Sequence, residues 1–340
     1  MDHPEQSTDT AALPPSAFVS QGDCLICGRP GDRAVIADVE DWFFGALPHA
    51  STFCRCDNCG SLWITNRLTE PYLKRADAQY YTHVRSVRRP EGGRVTNWLK
   101  AAYAQHRFTR SASPSQFLGA WLYRRLARNR VELDAAHRFA APCPGRILDY
   151  GFGSGEYLDR MKALGHDVVG VDFDPVSINN AKQRGIEAYT PGEAEALDWQ
   201  GRFDTITIAH VIEHVADPGA LLARLAGWLR PHGVLFVEAP NAQAWGLSAF
   251  GRYRRGLEAP RHLAIPSRTG LEKLARDADL DIVQQVIRPS VRSWLWQESL
   301  AAVPTAERAA IAAALEAAPQ ETFDNAEFLT MVMMPSQDTP

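Results

Sequence analysis

Two periods of apolar residues alternate along the second half of the chain. Short apolar runs at 147–148, 168–171, 186–189, 203–209, 234–238, 282–287 and 327–333 have the length of buried strands. Between them, apolar residues recur every three or four positions, as in Tyr157, Leu158, Met161 and Leu164. That spacing predicts helices over 156–164, 175–184, 218–230 and 269–278, with one more in an alanine-rich stretch at 305–318. Strands alternating with helices predict an α/β domain with a parallel sheet, covering 142–335.

The first strand–turn–helix–strand unit carries the chemistry. The run ending at Asp149 enters a turn with Gly151, Gly153 and Gly155, and the second run ends at Asp172. Glycines let the main chain bend and let a ligand approach without a Cβ in the way. The helix behind them offers free N–H groups, and an acid at the tip of the second strand can accept from ribose hydroxyls. The unit is therefore expected to bind an adenosine-containing cofactor. A nicotinamide or flavin fingerprint needs Gly-x-Gly-x-x-Gly, but Glu156 stands at the third position and the third glycine comes one place early. Asp149 before the turn is a poor neighbour for a pyrophosphate and suits a cofactor bearing an ammonium and a sulfonium.

This Asp-x-Gly-x-Gly-x-Gly arrangement, with Asp172 and the later run His210-Val-Ile-Glu213-His214, resembles the class I S-adenosylmethionine (SAM)-dependent methyltransferases over about 146–241. The branch it is most similar to includes ubiquinone-biosynthesis O-methyltransferases and methyltransferases of bacterial glycan clusters. The resemblance implies a Rossmann-like seven-stranded sheet whose last strand is antiparallel. It also implies SAM as cofactor. Gly151, Gly153 and Gly155 would back onto its methionine and ribose, and Asp149 would lie near its amino group. Asp172 would hold the ribose, with Phe173 beside the adenine. Glu193 and Ala194 would reach the adenine edge, and His210 would sit by the sulfonium.

The first half reads differently. Residues 1–21 are polar and proline-containing and are expected to be a disordered lead-in, with no basic-then-apolar secretory pattern. Over 22–69, Cys24 and Cys27 form one Cys-x-x-Cys-Gly knuckle and Cys56 and Cys59 a second, a zinc-ribbon spacing. Four thiolates close the coordination shell, so the expected Zn²⁺ is structural. Cys54 is a spare, and Cys143 is expected to be a small buried or linker residue. Residues 70–141 form a basic helical connecting segment, with helices at 97–108 and 114–139. In the second of these, Phe117, Trp121, Leu122, Leu126 and Leu133 make an apolar stripe expected to pack on the catalytic domain. The charge of the segment is expected to be a solvated face; a basic lid over an anionic substrate is the sharper alternative.

The net charge of −4 makes nucleic acid an unexpected partner for the whole molecule, and no apolar run is long enough to span a bilayer. A cytoplasmic location follows as the default expectation. SAM brings an activated methyl group, so the protein must align a nucleophile, with a general base to help. His262, in the Pro-Arg-His-Leu segment of a long 246–267 insertion, is the expected base, and His214 the second candidate. Arg252, Arg254, Arg255 and Arg261 are candidates for binding phosphate. The expected reaction is O-methylation of a sugar or other small hydroxylated acceptor, an anionic one on a nucleotide or lipid diphosphate included. The competing readings are a sugar C-methyltransferase and a nucleic-acid or protein-binding adaptor. The sequence leaves the oligomeric state open.

Overall fold

The computed structural model describes the chain except residues 1–12, 32, 46, 48, 78–92, 110–111, 128–129, 143–144 and 338–340. Most of the expected lead-in and Cys143 lie outside the described residues, as do Arg85, Arg88 and Arg89 of the basic segment.

The N-terminal module holds β1 (Phe18–Ser20), β2 (Ala34–Val39), β3 (Ser51–Arg55), β4 (Leu62–Ile64), β5 (Asn66–Leu68) and helix α1 (Glu70–Asp77). Strand β1 pairs antiparallel with β5, so order begins inside the expected lead-in. The connecting segment forms α2 (Arg94–Phe108), α3 (Pro114–Leu126) and α4 (Arg130–Ala136). Ser113 caps α3 in a capping box with Gln116, where the sequence places Ser-Pro before the helix. Small residues set the α2–α3 distance: a Cβ on Gly119 would stand 2.7 Å from that of Ala102. The buried face of α3 is therefore Gly119, Ala120 and Tyr123. The expected stripe is not the packing face, for Phe117, Trp121 and Leu126 are exposed. The hydrophobicity of a stripe fixes its length and period, but backbone approach through glycine and alanine decided which side of this helix faces its neighbour.

The α/β region follows in chain order: β6 (Arg146–Tyr150), α5 (Glu156–Ala163), β7 (Asp167–Val171), α6 (Pro175–Gln183), β8 (Glu187–Tyr189), α7 (Pro191–Glu195), β9 (Phe203–Ala209), α8 (Pro218–Trp228) and β10 (Leu229–Pro240). Next come α9 (Trp245–Phe250), β11 (Ala264–Ile265), α10 (Arg268–Asp277), β12 (Leu280–Val286), α11 (Pro289–Ala302), α12 (Thr305–Glu316) and β13 (Phe328–Pro335). Seven strands form one sheet in the order β12-β13-β10-β9-β6-β7-β8. Neighbours from β10 to β8 run parallel, and β13 is antiparallel to both β10 and β12. The order reverses between β6 and β9, which opens a crevice beyond the carboxyl ends of those strands.

The ribbon is not a separate bead. Strand β11, from the long insertion, pairs antiparallel with β4, so the ribbon sheet runs β11-β4-β3-β2 across the module boundary. The Ser267 N–H donates to Ser61 Oγ (3.0 Å), and Arg55 donates to the Ala242 carbonyl (3.2 Å). The 246–267 insertion thus holds the end of α9 and strand β11. No helix among the described residues is long and apolar enough to cross a membrane.

Candidate functional site

A cavity of about 760 Å³ lies at that carboxyl edge, within the roughly 300–1,000 Å³ of small-ligand pockets. The turn after β6 forms its floor. Gly151 has φ +78°, and a Cβ there would meet Val211 Cγ2 at 2.3 Å, so the glycine is needed both for the bend and for the space. Asp172, at the end of β7, is buried and lines the cavity. Its carboxylate accepts from the Gly153 N–H (2.8 Å) and the Asp174 N–H (2.9 Å), which locks the turn to the strand tip. Phe173 also lines the cavity and is exposed. Gly155, at φ +75°, starts α5 behind them. These residues suit a ribose and a flat base next to a main chain stripped of side chains.

Three expected contacts take other places. Asp149 is sunk in the sheet, off the cavity wall, and accepts from Thr207 Oγ1 (2.7 Å) and from Arg138 Nη1. It thereby holds Arg138 on the wall, with the guanidinium 4.2 Å from the Tyr157 ring centroid. Arg138 is a site residue that the sequence reading missed; its only signal was a lone cation closing the basic segment. Glu193 is exposed and turns back on Thr190, whose N–H donates to Glu193 Oε2 at 2.7 Å, as the fourth member of an N-terminal capping box for α7. Thr-x-x-Glu with proline between is a capping signature, and it claims this carboxylate. Ala194 is buried in the core, so neither residue lines the cavity.

The far end of the cavity is polar. His210, at φ +57°, places Nδ1 3.4 Å from Glu213 Oε1 and Nε2 3.6 Å from Glu238 Oε1. Burial opposes a charge on this ring, but the two carboxylates outweigh it and push the pKa up to about 10. Burial likewise opposes the charge on Glu238, and His210 with Arg288 holds that carboxyl at about 2. Arg288 Nη1 donates to both Glu238 oxygens at 2.8 Å.

His214 lines the cavity and is the opposite case. Burial, reinforced by the neighbouring His262, lowers its pKa to about 4, so it is neutral at pH 7. Its Nδ1 lies 3.2 Å from the Arg261 carbonyl; that acceptor assigns the proton to Nδ1 and leaves Nε2 with a lone pair. His262, the expected base, stands one layer back. Its side chain is buried, it donates from Nδ1 to the Gly256 carbonyl (3.0 Å), and its ring packs edge-on against His214 at 4.7 Å. Burial lowers its pKa well below the usual histidine range. The reason is the insertion's path: β11 carries 258–265 inward against the ribbon, and His262 goes with it. Glu213, His214 and His262 bring one donor atom each within 4.8 Å of one another. Neither Glu213 oxygen has a hydrogen-bond partner among the described residues. A cation could be held there by one carboxylate and two imidazoles.

The expected phosphate ligands are engaged internally. Arg254 pairs with Glu327 (3.1 Å), Arg255 with Glu258, and Arg261 with Asp41 through two contacts of 3.0 and 2.7 Å. All three arginines are buried, and only Arg261 reaches the cavity wall. Arg252 turns to the Tyr253 hydroxyl (2.9 Å).

In the ribbon, Cys24, Cys27, Cys56 and Cys59 converge, and Cys54 stays apart in β3. The sulfurs of Cys24 and Cys59 are 3.7 Å apart and those of Cys27 and Cys56 3.4 Å. A disulfide would bring them to about 2.05 Å, whereas sulfurs about 2.3 Å from one tetrahedral zinc sit roughly 3.8 Å from each other. Both knuckle glycines have positive φ, +70° at Gly28 and +75° at Gly60, and each N–H donates to the first cysteine's carbonyl at 2.8 Å. The donor set and spacing fit a zinc ion.

The family pattern described as a methyltransferase domain matches residues 120–285. A ubiquinone biosynthesis O-methyltransferase of Paracidovorax citrulli (strain AAC00-1) is 33% identical over 161 residues, 42% of this chain and 67% of that protein. One from Chelativorans sp. (strain BNC1) is 39% identical over 123 residues, 34% of this chain and 49% of the relative. The chain thus spans about half to two thirds of these relatives. A solved structure, a putative sarcosine dimethylglycine methyltransferase from Galdieria sulphuraria, covers 61% of this chain and 83% of its own at 17% identity and a TM-score of 0.44. The chain belongs to the class I SAM-dependent methyltransferases, and it is an enzyme of that class.

Proposed function

We propose that the protein transfers a methyl group from SAM to a hydroxyl oxygen of a small, hydroxylated acceptor, a sugar or another compact metabolite. The observation that carries this reading is the single cavity joining the Gly151–Gly153 turn and Asp172 to the neutral ring of His214. Bound SAM would supply an electrophilic methyl group. Asp172 would take the ribose hydroxyls, Phe173 would lie against the base, and Arg138 would meet the methionine carboxylate. Beside the polar cluster of His210, Glu238 and Arg288, the cavity wall also has apolar surface from Val215 and Phe236. Arg254 and Arg255 are buried in ion pairs off the cavity wall, so they do not support a diphosphate on the acceptor. The naming of the relatives as O-methyltransferases supports oxygen as the atom methylated.

His214 would take the acceptor proton on Nε2. With SAM and a panel of phenols, catechols and free sugars, turnover is expected as S-adenosylhomocysteine release. His214→Ala should slow it by about 10²-fold or more while leaving SAM affinity unchanged. Since the ring titrates at about 4, kcat/KM should stay flat from neutral pH downward and fall only as that value is approached. An unchanged rate in the variant would remove His214 from the proton path.

The four cysteines would hold a structural zinc. Metal analysis of the purified chain should return about one zinc per molecule. Cys56→Ser should lose it and unfold at lower temperature. Metal-free native protein with an unaltered melting curve would exclude the ion.

A further inference from the structure

We infer that the α2–α3 hairpin is a docking surface for anionic phospholipid. The hairpin lies largely outside the segment that matches the methyltransferase family. Six of the twelve exposed large apolar side chains among the described residues belong to it. On α3 they form one face: Phe117, Leu118 and Trp121, continued by Arg124 and Arg125 at the same helical spacing. Phe117 is 61% exposed, Leu118 53% and Trp121 48%, so their contacts inside the protein cover only half of them. Arg125 stacks 5.4 Å from the Trp121 ring centroid, a cation laid beside an aromatic of the same stripe.

Charge selects the partner. Residues 92–131 contain eight arginines and lysines and no aspartate or glutamate, a local charge of +8. The whole chain carries −4, so the remainder carries −12. Glu132, the first acid after this stretch, pairs with Arg288 outside it (3.3 Å), and Asp134 accepts from the Tyr103 hydroxyl at 3.0 Å. An amphipathic helix with tryptophan, phenylalanine and leucine on one stripe and arginine along it is the composition that lies in a lipid interface. Aliphatic Leu118 in the stripe fits acyl chains better than bases, since sequence-tolerant nucleic-acid sites rely on stackable rings along a groove. A second copy is disfavoured as occupant: interface cores are depleted in charge, and Arg124 and Arg125 would face their own equivalents.

The test uses the full chain and sedimentation with vesicles of phosphatidylcholine alone or with about 30% phosphatidylglycerol. The mixed vesicles should bind at least about tenfold more protein, and raised salt should weaken that binding. Phe117→Ser with Trp121→Ser, and separately Arg124→Gln with Arg125→Gln, should each lower it about tenfold. Their far-ultraviolet circular dichroism and SAM affinity should match the parent. Leu118→Asp, at an exposed site, carries the same test should the aromatic pair fail to fold. The proposal would be overturned by equal partition onto both vesicle types, by binding unaffected by all the variants, or by a single-stranded RNA that displaces the vesicles while the variants lose RNA binding instead. Variants that lose self-association but keep vesicle binding would likewise assign the face to a second copy.

Discussion

Asp172→Ala should weaken SAM binding by about 30- to 150-fold, with the protein still folded. Hydrogen bonds to a charged group contribute roughly 1.5–3 kcal/mol, and loss of about 2–3 kcal/mol corresponds to that range of affinity. The carboxylate sits at the strand tip, where it already accepts from the Gly153 and Asp174 N–H groups. Removing it therefore takes away the proposed ribose acceptor and loosens the glycine turn that the cofactor would lie against. Asp172→Asn keeps one acceptor oxygen and should fall between the two. Titration calorimetry with SAM and with S-adenosylhomocysteine measures both variants. Equal affinity in wild type and Asp172→Ala would detach the cofactor from this end of the cavity.

Asp41→Ala should destabilise the fold by about 3–5 kcal/mol, the cost of leaving one member of a buried pair uncompensated. Arg261 is fully buried and its guanidinium donates two hydrogen bonds to Asp41, while it also lies 4.3 Å from the Phe44 ring centroid. Arg261 also lines the cavity, and its carbonyl fixes the tautomer of His214. The substitution should therefore slow turnover as well as lower the denaturation midpoint. Replacing both partners, Asp41→Ala with Arg261→Met, should recover much of the stability because no buried charge is then left over. Urea unfolding of the three variants measures this. Equal midpoints for Asp41→Ala and the parent would show that the pair contributes nothing.

The glycine turn and the acid at the strand tip were legible because main-chain geometry writes itself into residue type. Gly151 admits no side chain, and an acid ending a strand, as at Asp172, can be placed by counting. Likewise, Cys-x-x-Cys-Gly fixes both sulfur direction and knuckle turn, so the four cysteines converge as their spacing predicts. What local spacing does not contain is which long-range partner claims a side chain. Asp149 has the right position in the motif, but Arg138 and Thr207 reach it from other elements. Glu193 carried two compatible signals, an adenine contact and a helix cap, and the cap is the one four residues can satisfy alone. The histidines misled for a related reason. His262 and His214 are both near neutral-pH candidates by residue type, and only the pairing of β11 with β4 decides that one faces the cavity and the other backs it. The connecting helices show the same limit, since Phe117 and Trp121 have core composition and surface exposure.

The shared edge between β4 and β11 has a consequence for how such a protein can be rearranged. Two modules joined by a flexible tether can be exchanged among relatives one at a time. Here the cysteine ribbon and the histidine-bearing insertion contribute strands to a single sheet, bolted by Asp41 and Arg261. A chimera that grafts either half alone inherits an unpaired strand and an orphan charge, so the two can be inherited or swapped only as one unit.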